Sequence, residues 1–266
     1  MVLNKLKDMD IGFEAGSLTF TEKWPTLVMI HGSGGRSQIW QNQVELLGNS
    51  VNTLALDLPG HGDTAGQGKS SVDEYASWLG EILGTLFHEP VFLMGHSLGG
   101  AIVQETALSH PNLLKGLILV GTGPVLRVAP MFLEGFLNKF EETIDMVMGY
   151  AYASGADLSL VKEGANLMKD AGQEVVHDDF LACNSFDRRK DLGKINLPCL
   201  IVCGEEDKLT PPALSETLNK TIKESALTIL PSAGHHVMIE SHEAFNECVK
   251  DFMRLGIRGS RTGRMD

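Results

Sequence analysis

The stretch Val91-Phe92-Leu93-Met94-Gly95-His96-Ser97-Leu98-Gly99-Gly100 constrains this chain more than any other segment. An apolar run of strand character enters Gly-x-Ser-x-Gly and passes straight into a helical pattern. Such a turn holds its central residue in a strained backbone conformation and lifts the side chain clear of the sheet. Strand and helix then pass so closely that Gly95 and Gly99 must lack side chains. Ser97 is therefore the candidate nucleophile. The five-residue motif alone recurs by chance in glycine-rich loops, so its meaning rests on this setting between strand and helix.

A serine hydroxyl is a poor nucleophile at neutral pH and needs a base to take its proton and an acid to orient that base. Downstream, Cys199-Leu200-Ile201-Val202-Cys203 reads as a buried strand, followed by Gly204-Glu205-Glu206-Asp207-Lys208-Leu209-Thr210-Pro211-Pro212. A carboxylate here would sit at the functional edge of a parallel sheet, and spacing alone leaves Glu205, Glu206 and Asp207 as candidates. The next strand, Ala226 to Leu230, exits through Pro231-Ser232-Ala233-Gly234 into His235 and His236. The order is thus serine, acid, histidine. Upstream, Leu27-Val28-Met29-Ile30 reads as a strand ending in His31-Gly32-Ser33-Gly34-Gly35, a flexible loop rich in backbone N–H groups. Donors for a developing oxyanion are assigned to the N–H of Leu98 and that of Ser33, with Gly32 and Gly34 as alternatives for the second.

These motifs, with Asp57-Leu58-Pro59-Gly60-His61-Gly62, Gly204-x-x-Asp207-x-x-Thr210-Pro211 and Gly234-His235, make the chain resemble the α/β-hydrolase superfamily over nearly its whole length. It is most similar to small lidded serine esterases and cofactor-free haloperoxidase-like hydrolases, with enol-lactonases close by. The resemblance selects Asp207, third after the glycine and three before Thr-Pro, as the acid. It selects His235, followed five residues later by Glu240, as the base, and makes His236 the first-turn residue of the closing helix. It implies an α/β-hydrolase fold: a mostly parallel eight-stranded sheet flanked by helices, with a helical lid inserted after the sixth strand.

The other histidines carry plainer readings. His31 holds the oxyanion loop by local hydrogen bonding, His96 packs beside the elbow, and His61 belongs to a tight turn. His88, His110, His177 and His242 show no partner pattern. No pair of histidines has the spacing of a metal site, so neither a metal nor a cofactor is expected. Asp57 ends a strand at the functional edge, but the matching position in the family shapes the turn.

Strands are expected at about 26–31, 51–57, 91–95, 115–121, 198–203 and 226–230. An antiparallel edge hairpin of 11–14 and 18–22 precedes them. Helices are expected over 39–47, 72–87, 99–109, 212–219 and 236–255. The strand ending at Gly121 and the one starting near Pro198 are separated by more helical sequence than one crossover needs. Residues 1–122 and 191–266 therefore read as the core domain and 123–190 as the lid. Within the lid, residues 125–140 and 144–152 are amphipathic, and Met131, Phe136, Met146 and Met148 are the expected substrate-binding residues of an adaptable apolar pocket.

The 266 residues carry 43% apolar side chains and a net charge of −12. That charge disfavours nucleic acid and anionic membrane as partners, since both need positive surface. No run of about eighteen apolar residues and no signal-peptide core is evident, and four cysteines lack any Cys-x-x-Cys pattern, which together read as a cytoplasmic location. Monomer and homodimer both fit the sequence. The basic tail Arg254, Arg258, Arg261 and Arg264 reads as a frayed terminus.

The expected activity is hydrolysis of a small to medium, apolar carboxylic ester through an acyl-enzyme on Ser97. Lactonase and thioesterase chemistry would use the same triad. Haloalkane dehalogenases and epoxide hydrolases of this superfamily use an acid nucleophile, so Ser97 counts against both. C–C hydrolases often carry Asn before the serine, where this chain has His96. A ligand receptor on the same fold is the alternative from outside enzymology, and it would turn over an activated ester at most a few times.

Overall fold

The computed structural model describes residues 2–261. Seven strands form one sheet in the order β1-β3-β2-β4-β5-β6-β7. They are β1 Phe13–Ala15, β2 Thr26–Ile30, β3 Asn52–Leu56, β4 Val91–His96, β5 Leu114–Val120, β6 Cys199–Gly204 and β7 Ser225–Leu230. Only β1 runs antiparallel, pairing Phe13 to Leu56 and Ala15 to Leu54; every other neighbouring pair is parallel. A parallel sheet needs crossovers that cover both faces, and its strands alternate between two apolar layers. In β2, Val28 and Ile30 enter one layer with α3 (Val72–Leu86) and α4 (Leu98–Ser109), while Leu27 and Met29 enter the other with α2 (Gln41–Leu47) and α11 (His242–Arg261). The remaining core helices are α1 Val2–Asp8, α9 Pro212–Thr221 and α10 Val237–Glu240.

Seven strands, not eight, stand among the described residues, because the expected second arm of the edge hairpin forms no strand. The side chain of Asn52 takes its place: Oδ1 accepts from Thr21 N–H at 2.8 Å, and Nδ2 donates to the carbonyls of Thr21 and Trp24. The backbone N–H and C=O of Thr21 are thus satisfied by an amide side chain and not by a ladder partner. Leu18 is accordingly solvent-exposed. The insertion therefore follows the fifth strand. The final expected helix is broken at Ser241 into α10 and α11. The latter continues through Arg261, so Arg258 and Arg261 belong to a helix rather than a frayed end, and Arg264 lies outside the described residues.

Four helices occupy the long interval between β5 and β6: α5 Pro130–Asn138, α6 Phe140–Ala151, α7 Leu158–Ala171 and α8 Gln173–Ser185. The amphipathic pattern expected from residue 125 becomes helical only at Pro130, which occupies the first turn where its missing N–H does no harm. These helices close their own small apolar cluster, with Phe136, Ile144, Val147, Met148, Ala151, Tyr152 and Met168 buried in it.

Candidate active site

Because β2, β4, β6 and β7 are parallel, the loops leaving their C-terminal ends open at one edge of the sheet, and these four loops carry every expected catalytic group. Ser97 sits between β4 and α4 with φ 54° and ψ −115°. A Cβ on Gly95 would strike the Gly99 backbone, and one on Gly99 would strike the carbonyls of Ile30 and His31, so glycine is required at both. The strained turn is held by Ser97 N–H donating to Val120 O at 2.9 Å and by Thr122 Oγ1 donating to Ser97 O at 2.9 Å. Ser97 Oγ has no hydrogen-bond partner among the described residues and lines a cavity of about 530 Å³.

His235 lines the same cavity. Its Nδ1 faces Asp207 Oδ2 at 2.9 Å and Thr210 Oγ1 at 3.1 Å. A nitrogen opposite a carboxylate is a donor, so Nδ1 carries the proton and Nε2 keeps the lone pair that a general base requires. Asp207 is buried, and its second oxygen accepts from Leu209 N–H at 2.9 Å and Thr210 N–H at 2.8 Å. Burial works against its charge, but His235 and the donors from Thr210 outweigh burial and hold the carboxyl below its ordinary range. Glu205 is exposed, and Glu206 accepts from Ser154 N–H and Oγ on the inserted segment. Neither glutamate bonds His235.

His236 stacks on Tyr152 with ring centroids 4.8 Å apart and also faces the cavity. Burial first, then His235, lowers its pKa to about 3, so it is a neutral wall residue with no carboxylate beside it. His96 donates from Nε2 to His235 O at 3.0 Å, and burial keeps it neutral too. On the other side of the loop, Glu240 accepts from Gly234 N–H and Ala153 N–H, and His235 N–H donates to Ala151 O at 2.7 Å. The histidine loop is thus tied to the end of α6.

In the loop after β2, Gly35 N–H donates to Gly32 O and Gly34 N–H donates to Asp179 Oδ2 at 2.8 Å. Gly34 is therefore engaged and drops out as an oxyanion donor. The N–H groups of Ser33 and Leu98 have no acceptor among the described residues. His31 holds the loop as the sequence suggests, donating from Nδ1 to Gly32 O at 2.8 Å and accepting from Leu58 N–H at Nε2. Asp57 shapes turns, accepting from Ser37 N–H and Asp63 N–H. Among the described residues no group of three or more His, Cys, Asp or Glu side chains could hold a metal ion.

Three of the expected pocket residues are corrected. Met131 and Met146 are 58% and 44% exposed on the outer face of α5 and α6, where their helical stripe meets solvent. Phe136 is wholly buried, but against Phe180 inside the helical cluster, with ring centroids 4.5 Å apart, and it does not reach the cavity. Met148 does line it, with Phe132 from the amphipathic stretch and with Met168, Leu209 and Phe180, which the sequence did not single out. Amphipathicity marks which side of a helix is buried, but these inserted helices bury residues both against one another and along the cavity, and periodicity does not separate the two. Also missed were Asp179 and its partners His61 and Tyr75, which no local pattern announces.

Comparison with known proteins identifies the family. The alpha/beta hydrolase fold family matches residues 25–242. A pimeloyl-[acyl-carrier protein] methyl ester esterase of Aeromonas hydrophila is 28% identical over 86% of this chain and 95% of its own length. Its counterpart in Pectobacterium carotovorum is 27% identical over 85% of this chain and 93% of its own. Among solved structures, a thermophilic esterase is 34% identical with a TM-score of 0.79, covering 92% of this chain and 98% of its own. The enol-lactonase of Burkholderia xenovorans LB400 reaches a TM-score of 0.84 at 19% identity over 92% of this chain and 96% of its own, a likeness of fold. The chain belongs to the α/β-hydrolase family, as a serine-type ester hydrolase.

Proposed function

We propose that the chain hydrolyses carboxylic esters of medium-length, apolar acids through an acyl-enzyme on Ser97, with residues 123–190 serving as the lid of the pocket. The observation that carries this is a single cavity bordered by Ser97 at the elbow and by His235, whose Nδ1 is bound by Asp207. Ser97 Oγ attacks the ester carbonyl and passes its proton to His235 Nε2. The resulting imidazolium is stabilised by Asp207, and the oxyanion is met by the N–H groups of Leu98 and Ser33. His235 then protonates the departing alcohol, and a water activated by the same nitrogen releases the acid. A cavity of about 530 Å³ is of the size that encloses medium-sized ligands. Its walls from Phe132, Met148, Met168 and Leu209 suit an alkyl chain. The relatives named for a methyl ester of an acyl-carrier-protein-bound acid support an ester with a small alcohol and a longer acyl part. A cytoplasmic setting is supported by the unpaired Cys183, Cys199, Cys203 and Cys248, and the charge of −12 speaks against nucleic acid as a partner.

The test is active-site labelling together with turnover. A fluorophosphonate should modify Ser97, and Ser97→Ala should lower kcat on p-nitrophenyl butyrate by about four to six orders of magnitude with the fold retained. Labelling at another residue, or sustained turnover by the alanine variant, refutes the assignment.

A further inference from the structure

We infer that Asp179, on helix α8 of the inserted region, is a positioning residue for the oxyanion hole: by holding Gly34 N–H it keeps the loop after β2 in the arrangement that leaves the Ser33 N–H for substrate. The inference deepens the esterase reading above and rests on Ser97 being the acylated residue.

Asp179 is wholly buried and receives three hydrogen bonds: from Gly34 N–H at 2.8 Å, His61 Nε2 at 2.9 Å and Tyr75 OH at 2.7 Å. Each comes from more than one hundred residues away in sequence, so nothing local demands an aspartate here. Tyr75 OH accepts from Lys69 N–H at 2.9 Å, so its own proton goes to the carboxylate. His61 Nδ1 faces the Pro59 carbonyl at 3.1 Å. Both ring nitrogens of His61 therefore oppose acceptors and both carry protons, which makes the contact an imidazolium–carboxylate pair. A buried carboxylate persists only with such compensation, and here the compensation is complete. One of its three donors is a backbone N–H of the loop that approaches the reacting carbonyl.

The loop is gripped at two points. His31 Nδ1–H and Gly35 N–H converge on Gly32 O, and Asp179 takes Gly34 N–H. The residue between them, Ser33, has an N–H with no acceptor. Rotating the peptide that carries Gly34 N–H would break its bond to a wholly buried carboxylate, so Asp179 penalises any arrangement that exchanges one donor for the other. Preorganised donors act on charge that develops only in the transition state, and the effect of misaiming one falls on kcat rather than on KM.

The experiment compares the wild type with Asp179→Asn and Asp179→Ala, after fluorophosphonate labelling has located the nucleophile. In variants that keep the wild-type circular dichroism, kcat on p-nitrophenyl butyrate should fall at least about tenfold with KM within about twofold. Affinity for a trifluoromethyl ketone, which forms a tetrahedral oxyanion on Ser97, should fall by the same factor as kcat. Folded variants whose kcat and ketone affinity stay within about twofold of wild type overturn the inference. Wild-type protein supplies a second reading if the variants do not fold. Forming the ketone adduct should shift the amide proton resonances of Ser33 and Leu98 downfield and leave Gly34 in place. A downfield shift of Gly34 overturns the proposal, whereas labelling away from Ser97 overturns the esterase assignment instead.

Discussion

The sheet edge and the inserted helices solve the same problem, placing side chains around one cavity, by opposite means. At the sheet edge close neighbours in sequence help set two of the catalytic groups. Gly95 and Gly99 shape the Ser97 turn, and Leu209 and Thr210 donate to Asp207 two and three residues away. The inserted helices are joined to that edge by contacts of long range: Ser154 to Glu206, Ala153 to Glu240, Ala151 to His235, and Asp179 to Gly34. Local geometry repeated at parallel strand ends survives changes in what covers it, whereas the cover must be fitted to the edge pair by pair. Solved structures at 19 and 34% identity share the fold over most of their length.

The sharpest way to break this contrast is to perturb the edge alone. Asp207→Asn should leave His235 in the wrong tautomer and lower kcat about ten-thousandfold in a folded protein, while Glu205→Gln and Glu206→Gln leave kcat nearly unchanged. A larger loss at Glu206 than at Asp207 would show that the lid contact, not the local turn, carries the acid function. Within the helices the contrast is between packing and pocket. Phe136→Ala removes a fully buried ring from the cluster of the inserted helices and should lower stability by about 3–5 kcal/mol, read from chemical denaturation. Met148→Ala should instead move the preferred acyl length upward, against a background in which each added methylene raises kcat/KM by up to about fourfold until the cavity is full. Met131→Ala and Met146→Ala, on the exposed face, should leave that profile where it is. A shifted profile in either would return those residues to the cavity wall.

The smallest effect is a pH dependence. Burial disfavours the charge on His61, but Asp179 and the Pro59 carbonyl outweigh it, so its folded pKa lies above the ordinary 6.5. A group whose pKa rises on folding stabilises most below its unfolded value and loses that contribution as pH climbs through the folded one. The melting temperature of wild type should therefore exceed that of His61→Gln by most near pH 6, with the gap narrowing toward pH 9. A gap that widens with pH would mean that His61 is neutral in the fold and that Asp179 holds Gly34 without a cationic partner. His31, present in both proteins, follows the opposite rule: burial first and then His61 lower its pKa to about 4, so its stabilising contribution is present above the unfolded value of 6.5 and lost as pH falls toward the folded one.

What the sequence by itself determined is the set of groups whose placement depends on a few adjacent residues: the glycine-bounded elbow at Ser97, the Gly-x-x-Asp turn at Asp207, and the loop that delivers His235 after a short strand. Most strand positions were legible for the same reason, since a buried parallel strand is a near-continuous apolar run. The tertiary structure alone decided the rest. That the backbone of Thr21 is met by a side chain and not by a ladder partner depended on Asn52, 31 residues away. Which residues of the inserted helices line the cavity depended on how α5 to α8 divide their apolar side chains between one another and the cavity. That Gly34 is unavailable as a donor depended on Asp179, 145 residues away. A hydrogen bond between distant segments leaves no periodic trace in either one, because each end need only supply a donor or an acceptor, and both are common everywhere along a chain.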